Sequence, residues 1–140
     1  KRMTEDGVVK DKQYVNQSKI IGSWQVFPWA ERFNPSYRSS TVWEFNQDEF
    51  FTQKGSPLWE SDMIGNFSLN NTVNPNWIDL VLYSGLVQGV FEFLGDNEIK
   101  LELFPNTVTS EHPTQFSDVL YGNNIYGVDR NIFYLTRIEK

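Results

Sequence analysis

From residue 20 onward, apolar side chains recur at every second position, which is the period of a strand with one buried face. The pattern predicts eight strands, over residues 20–29, 41–46, 49–53, 58–69, 77–84, 87–94, 98–104 and 131–138. Turn-forming Asn, Pro, Gly and Asp residues separate most of them. No stretch of a dozen residues has helical periodicity, so we expect an all-β, antiparallel chain.

Eight sequential strands can form either two packed sheets or a closed barrel. Closure removes the exposed strand edges that invite aggregation, so we expect an antiparallel eight-stranded up-and-down barrel with a long loop, residues 105–130, before the last strand. The alternation places one apolar row in the interior: Trp43, Phe45, Phe67, Leu69, Ile78, Leu80, Leu82, Phe91, Phe93, Ile99, Leu101 and Leu103. It places a wetter row outside: Glu44, Asn66, Asp79, Glu92, Lys100 and Glu102.

The length of 140 residues fits one domain. We expect a flexible N-terminal arm over residues 1–19 and a barrel domain over residues 20–140. Cysteine is absent, which excludes disulfide scaffolds, thiol nucleophiles and zinc fingers. The net charge of -6 argues against a nucleic-acid partner, and no apolar run approaches the roughly 18 residues of a membrane span. Localisation stays open: Met3 as the native start would indicate a cytoplasmic protein, and a removed leader an exported one.

Several pieces of the chain carry a family resemblance. Gly22-Ser23-Trp24 near the start and Arg137 near the end resemble the lipocalin and calycin pattern, in which a first-strand Trp is covered by a late-strand Arg. In order and spacing, the chain is similar to small bacterial lipocalin-like domains, mostly of unknown function, through residues 43–50, 78–80, 89–93, 99–101, 112–116 and 135–138. This resemblance implies a barrel that can enclose a small molecule, with Trp24 and Arg137 closing one end. His112 departs from the family pattern, where an Arg is expected.

Catalytic and metal-binding chemistry has little support in the residues. His112 is the only histidine, with no second histidine at a metal-ligand spacing, so we interpret it as a loop residue. The sequence predicts no metal site, and no glycine-rich loop indicates a nucleotide or other cofactor. Glu44 and Glu92 are expected on the outer face. With the reverse parity, they would enter the interior and could act as general acid or base.

The abundance of aromatic residues favours a binding function. We expect a hydrophobic small molecule, apolar or aromatic, in the barrel interior, with ligand-binding residues Trp43, Phe45, Phe67, Tyr83, Phe91 and Phe93, and with Tyr121 and Tyr126 in a mobile cover. One alternative is an enzyme, a cyclase or isomerase that uses the same interior. Another is an interaction module with a filled barrel and an exposed aromatic patch. The residues leave enzyme or binding protein, ligand identity and oligomeric state open.

Overall fold

The computed structural model describes residues 18–55, 64–83, 85–104, 112–116 and 131–138. These residues form eight strands: β1 (Gly22–Pro28), β2 (Thr41–Phe45), β3 (Phe50–Gly55), β4 (Ile64–Asn70), β5 (Asn76–Leu82), β6 (Gly85–Gly95), β7 (Glu98–Phe104) and β8 (Ile132–Arg137). All eight predicted strands are present. The first part of the fourth predicted strand, residues 58–63, lies outside the described residues.

The eight strands close into a barrel in chain order, from β1 to β8. Every neighbouring pair is antiparallel, and β1 pairs with β8 to complete the ring, with Trp24 opposite Arg137. The predicted all-β, antiparallel eight-stranded barrel is therefore confirmed. Within the described residues, no helix has the length and apolar character needed to cross a membrane.

The chain enters the barrel through a helical turn, which differs from the prediction. Residues 18–20 are helical, and the N–H of Ile21 donates to the carbonyl oxygen of Ser18 at 3.2 Å. Ile20 is fully buried although it precedes the strand. Its apolar character therefore predicted its burial correctly, but the predicted strand conformation is wrong. At the other end of β1, Trp29 begins a short 3-10 helix (Trp29–Glu31) instead of ending the strand.

The two ends of the barrel differ in how its strands are joined. At the end that we call the base, β1 begins and β8 ends, and the connecting segments are residues 46–49, 71–75 and 96–97. At the opposite end, the mouth, the connecting segments are residues 29–40, 56–63, 83–84 and 105–131. The predicted long loop before the last strand thus joins two strand ends at the mouth, and the structure describes only residues 112–116 of it.

The interior row follows the predicted alternation, but one outward residue corrects the expected outer surface. Glu102 alternates with the interior residues Leu101 and Leu103, yet it is only 2% exposed. Its register partners on the adjacent strands, Val90 and Ile132, are also outward-facing and fully buried. The expectation that Glu102 lies on a solvated face is wrong, because this row on the outside of β6–β8 is covered.

Candidate functional site

One side of the barrel interior is a continuous set of touching aromatic rings. The ring of Trp43 lies 5.0 Å from that of Phe133 and 5.7 Å from that of Phe51, measured between centroids. The ring of Phe45 lies 5.0 Å from Phe51 and 5.0 Å from Phe67. These separations and tilted or edge-on angles are those of direct aromatic packing. The rings therefore stabilise one another and fill the space between their strands.

The opposite side of the interior, formed by β5–β7, is mainly aliphatic. Its inward side chains are buried members of the same core and come mainly from alternate positions of the three strands: Ile78, Leu80, Leu82, Val87, Phe91, Ile99, Leu101 and Leu103. Phe91 contributes a ring near the base, where it packs edge-on against the partly buried Phe93 at 5.6 Å. The interior thus has an aromatic wall and an aliphatic wall.

The base of the barrel is closed by the entering chain. Trp24 is fully buried, and its indole N–H donates to the carbonyl oxygen of Ile20 at 2.8 Å. The guanidinium of Arg137 lies over the indole and donates to the carbonyl oxygens of Ile21, at 2.9 Å, and Lys19. Since these bonds hold residues 19–21 across the base, the end-closing role implied by the resemblance for Trp24 and Arg137 fits the structure.

The mouth half of the interior contains polar groups among the apolar side chains. The indole N–H of Trp43 donates to Oε1 of Gln53 at 2.8 Å. Thr41 is buried two positions before Trp43 and shares its inward direction. Gln53 was not predicted as a site residue, although its spacing from the buried Phe51 already placed it on the inward face. These residues give the mouth half a hydrogen-bonding capacity in a mostly apolar space.

The acidic side chains of the strands face outward. Glu44, Asp79, Glu92 and Glu102 each lie between inward-facing neighbours, and Glu98 precedes the inward Ile99. In the parts of the chain that the structure describes, the interior therefore contains no acidic side chain. The reverse parity, which would have placed Glu44 and Glu92 inside as acid and base, is wrong.

Side chains of β1 and β3 bind the carboxylate of Glu44 on the outside of the barrel. Its carboxylate accepts hydrogen bonds from Ser23 at 3.2 Å and Thr52 at 3.4 Å, and lies 3.2 Å from the ammonium of Lys54. Burial alone raises the pKa of Glu44, but the bonds from Lys54, Ser23 and Thr52 outweigh that effect and hold the pKa below its usual value. A carboxyl held ionised in this way stabilises the sheet and is poorly suited to donate a proton.

The structure brings together most of the predicted ligand-binding residues. Trp43, Phe45, Phe67 and Phe91 are at most 1% exposed in the interior, and Phe93 packs against them from the base. Tyr83 is corrected: it follows β5 in a turn, is 96% exposed, and does not face the interior. The physical reason is the alternation itself, since Leu80 and Leu82 point inward and Tyr83 has the opposite parity. Tyr121 and Tyr126 lie outside the described residues.

The exposed Tyr83 belongs to an apolar patch on the outside of β4–β6 near the mouth. Val81 is 54% exposed and is the register partner of Leu86 on β6 and of Asn66 on β4. Ile64, two residues before Asn66, is exposed on the same face. We call Ile64, Val81, Tyr83 and Leu86 the outer patch.

His112 lies on the outside of the barrel and not in a freely exposed loop. Its ring stacks on the indole of Trp77, and its Nε2 lies 2.8 Å from Oδ1 of Asp79. The other ring nitrogen, Nδ1, lies 2.7 Å from the carbonyl oxygen of Pro113. Both nitrogens are therefore engaged by protein oxygens. Among the described residues, no group of three His, Asp or Glu side chains is arranged to hold a metal ion.

Comparison of the chain with known protein families, with curated proteins and with solved structures found no match.

Proposed function

We propose that this protein is a lipocalin-like binding protein that takes up a small apolar or aromatic molecule in the mouth half of its barrel. The observation that carries the proposal is the asymmetry of the interior. The base is closed by Ile20, Trp24 and Arg137, whereas a second interior hydrogen-bonding pair, Trp43 and Gln53, lies in the middle of β2 and β3, with the buried Thr41 beyond it at the mouth end of β2. An eight-stranded barrel is wide enough to hold one small ligand.

The packing of the rings indicates where in the barrel a ligand would lie. Phe45, Phe67 and Phe91 are buried toward the base, and their rings contact other rings, so they form a floor. Above the floor, the inward Trp43 belongs to the aromatic wall, and the inward Leu82 and Val87 belong to the aliphatic wall of the same core. A flat apolar molecule between these walls would gain about 25 cal/mol for each Å² of apolar surface removed from water.

The polar pair supports selectivity for a ligand with at least one hydrogen-bonding group. Ligand sites are mostly apolar, with few polar groups that fix orientation. The indole N–H of Trp43 donates to Oε1 of Gln53 at 2.8 Å, so a ligand that accepts from this N–H and donates to this oxygen would leave neither atom unsatisfied. A purely aliphatic ligand would bind by burial alone.

The two alternative functions make different demands on the structure. A cyclase or isomerase in the same interior needs a proton donor there, and the described acidic side chains all face outward. An interaction module would use the outer patch, where Val81 and Tyr83 are exposed. A binding experiment that compares a variant of the interior with a variant of the outer patch therefore distinguishes the binding protein from the interaction module.

The test is a fluorescence titration of the full chain with N-phenyl-1-naphthylamine, a neutral, flat, apolar probe. We expect one saturable site. Val87→Phe, which enlarges an inward side chain of the mouth half, should weaken binding by about tenfold or more. The matched control is Val81→Phe, the same change on the outer patch, which should leave the affinity unchanged. Circular dichroism and urea unfolding establish that both variants are folded.

Three results would overturn the proposal. Failure of the probe to saturate would remove the interior site and favour the interaction module. Saturable binding that is lost in Val81→Phe but retained in Val87→Phe would place the site on the outer patch. A folded Val87→Phe variant with unchanged affinity would likewise exclude the mouth half.

A further inference from the structure

A hydrogen-bond donor and an acceptor lie next to each other on the inward face of β2 and β3. Trp43 and Gln53 are register partners on these strands, and Gln53 shares the inward parity of the buried Phe51. The indole Nε1 of Trp43 lies 2.8 Å from Oε1 of Gln53. Trp43 is fully buried, whereas Gln53 is only partly buried. The pair therefore lies where the packed interior still has access to solvent.

Within the part of the chain that the structure describes, the interior around this pair contains no ionised side chain. Every charged side chain of β1 to β7 has the outward parity, including Glu44 and Lys54, which directly follow Trp43 and Gln53. On β8, Arg137 lies at the base and donates to backbone carbonyl oxygens. An ionised ligand in the mouth half would lose hydration without meeting a counter-charge from these residues, and burial of an unpaired charge is very costly.

A neutral carboxamide matches the hydrogen-bonding pair better than a carbonyl group alone. Its oxygen can accept from the indole N–H of Trp43 while its own N–H donates to Oε1 of Gln53. The oxygen and nitrogen of an amide lie on one planar edge, about 2.3 Å apart. This spacing is close to the 2.8 Å between the two protein atoms. A ketone would satisfy the indole but would not replace the donor that Oε1 loses, which lowers affinity.

We infer that the barrel interior takes up a neutral, flat aromatic carboxamide or lactam, and that Gln53 determines this specificity. The apolar body of the ligand lies between the aromatic and aliphatic walls, and its amide edge replaces the hydrogen bond between Trp43 and Gln53 with two. Ions of either sign are excluded, because the interior offers them no counter-charge. This inference rests on the proposed function, since it names the class of molecule that the mouth half binds.

The test displaces N-phenyl-1-naphthylamine from the full chain at pH 7 with naphthalene derivatives of similar size. We expect 2-naphthamide to bind most tightly. 2-Acetylnaphthalene has a methyl group in place of the amide nitrogen, so it should bind about tenfold more weakly. 2-Naphthoate and 2-naphthylmethylammonium are both ionised at this pH and should bind weaker than 2-naphthamide by about a hundredfold or more.

The two ionised compounds separate the effect of the interior from that of the overall charge. The chain has a net charge of -6, which repels an anion and attracts a cation. Exclusion by the overall charge would therefore weaken only 2-naphthoate. Weak binding of both ions is the result expected from an interior without counter-charges.

A pair of glutamine variants tests the role of Gln53. Gln53→Met keeps the approximate size of the side chain but removes its oxygen, so it should abolish the preference for 2-naphthamide over 2-acetylnaphthalene. Gln88→Met is the matched control, because Gln88 follows the inward Val87 and has the outward parity on β6. It should leave the preference unchanged. Circular dichroism establishes that both variants are folded.

The outcomes distinguish this inference from the proposed function. Saturable binding of N-phenyl-1-naphthylamine with equal affinities for 2-naphthamide and 2-acetylnaphthalene would overturn the inference and leave the proposed function standing. Tight binding of either ion would do the same, as would a folded Gln53→Met variant that keeps the preference. Failure of N-phenyl-1-naphthylamine to saturate would overturn both. If Gln53→Met does not fold, the order of the four affinities in the unmodified chain decides the matter.

Discussion

The guanidinium of Arg137 lies 4.2 Å from the centre of the Trp24 ring, and the two residues are register partners on β8 and β1. Arg137 also donates to the carbonyl oxygen of Ile21 at 2.9 Å and to Oδ1 of Asn97 at 3.1 Å. One side chain thus joins the first strand, the last strand, the entering chain and the β6–β7 turn. This contact ties together the point at which the barrel closes.

Trp24→Ala is expected to lower the free energy of unfolding by about 3–5 kcal/mol, because it removes a large, fully buried side chain at the barrel base. Urea unfolding measured by circular dichroism gives the value. Tyr83→Ala is the control, since Tyr83 is 96% exposed and its removal should change stability by about 0.5 kcal/mol or less. Equal stability of Trp24→Ala and the unmodified chain would contradict the closing role.

Gly89→Ala tests how closely the strands approach on the aliphatic side. A Cβ at Gly89 would lie 2.5 Å from the carbonyl oxygen of Glu102 and 3.1 Å from side-chain atoms of Ile78 and Leu103. The backbone must shift to accept it, so we expect a loss of about 1–3 kcal/mol in urea unfolding. A Cβ at Gly95, in the same strand, meets nothing within 4 Å. Gly95→Ala should therefore be close to neutral, and an equal loss in both variants would rule out this explanation.

Tyr134 should make stability fall in strongly alkaline solution. Burial and a hydrogen bond to Glu98 raise the pKa of Tyr134 from 10.0 to about 12. Between these values the folded chain keeps a proton that the unfolded chain has lost, so this contribution to stability is complete below about pH 10 and is lost toward pH 12. The stability difference between the unmodified chain and Tyr134→Phe should shrink over that range.

Substitution of Glu98 provides a second test of the raised pKa of Tyr134. Glu98→Gln removes the negative charge that disfavours the phenolate, so the pKa of Tyr134 should fall, as followed by the ultraviolet absorbance of tyrosinate. Glu44→Gln is the control, because Glu44 bonds to Ser23 and Thr52 on other strands. An unchanged tyrosine titration in Glu98→Gln would show that burial alone raises the pKa.

Gln53→Met should destabilise the barrel by about 1–3 kcal/mol, since it leaves the buried indole N–H of Trp43 without its acceptor. Trp43→Phe removes the donor as well. The double variant should therefore lose less stability than the two single variants together, and the difference is a coupling energy obtained from the four proteins by urea unfolding. Strict additivity would mean that the bond at 2.8 Å contributes nothing.

The alternation of residues such as Leu80, Val81 and Leu82 was sufficient to predict the strands and their inward and outward faces. A strand presents successive side chains to opposite faces, so a local pattern carries this information without the rest of the chain. The same rule, applied consistently, would have placed Tyr83 outside and Gln53 inside. The outward position of Tyr83 and the inward position of Gln53 are therefore both contained in the local signal of the sequence.

Only the tertiary structure decided which distant residues meet. Asp79 and His112 are far apart in sequence, and no local spacing indicates that the ring of His112 stacks on Trp77 beside that carboxylate. The burial of Glu102 on the outer face likewise depends on what lies over β6–β8. The alternation of a strand depends only on neighbouring residues. Which outer face is covered, and which charged groups pair, depends instead on where distant segments pack. The closed barrel as a whole sets those positions.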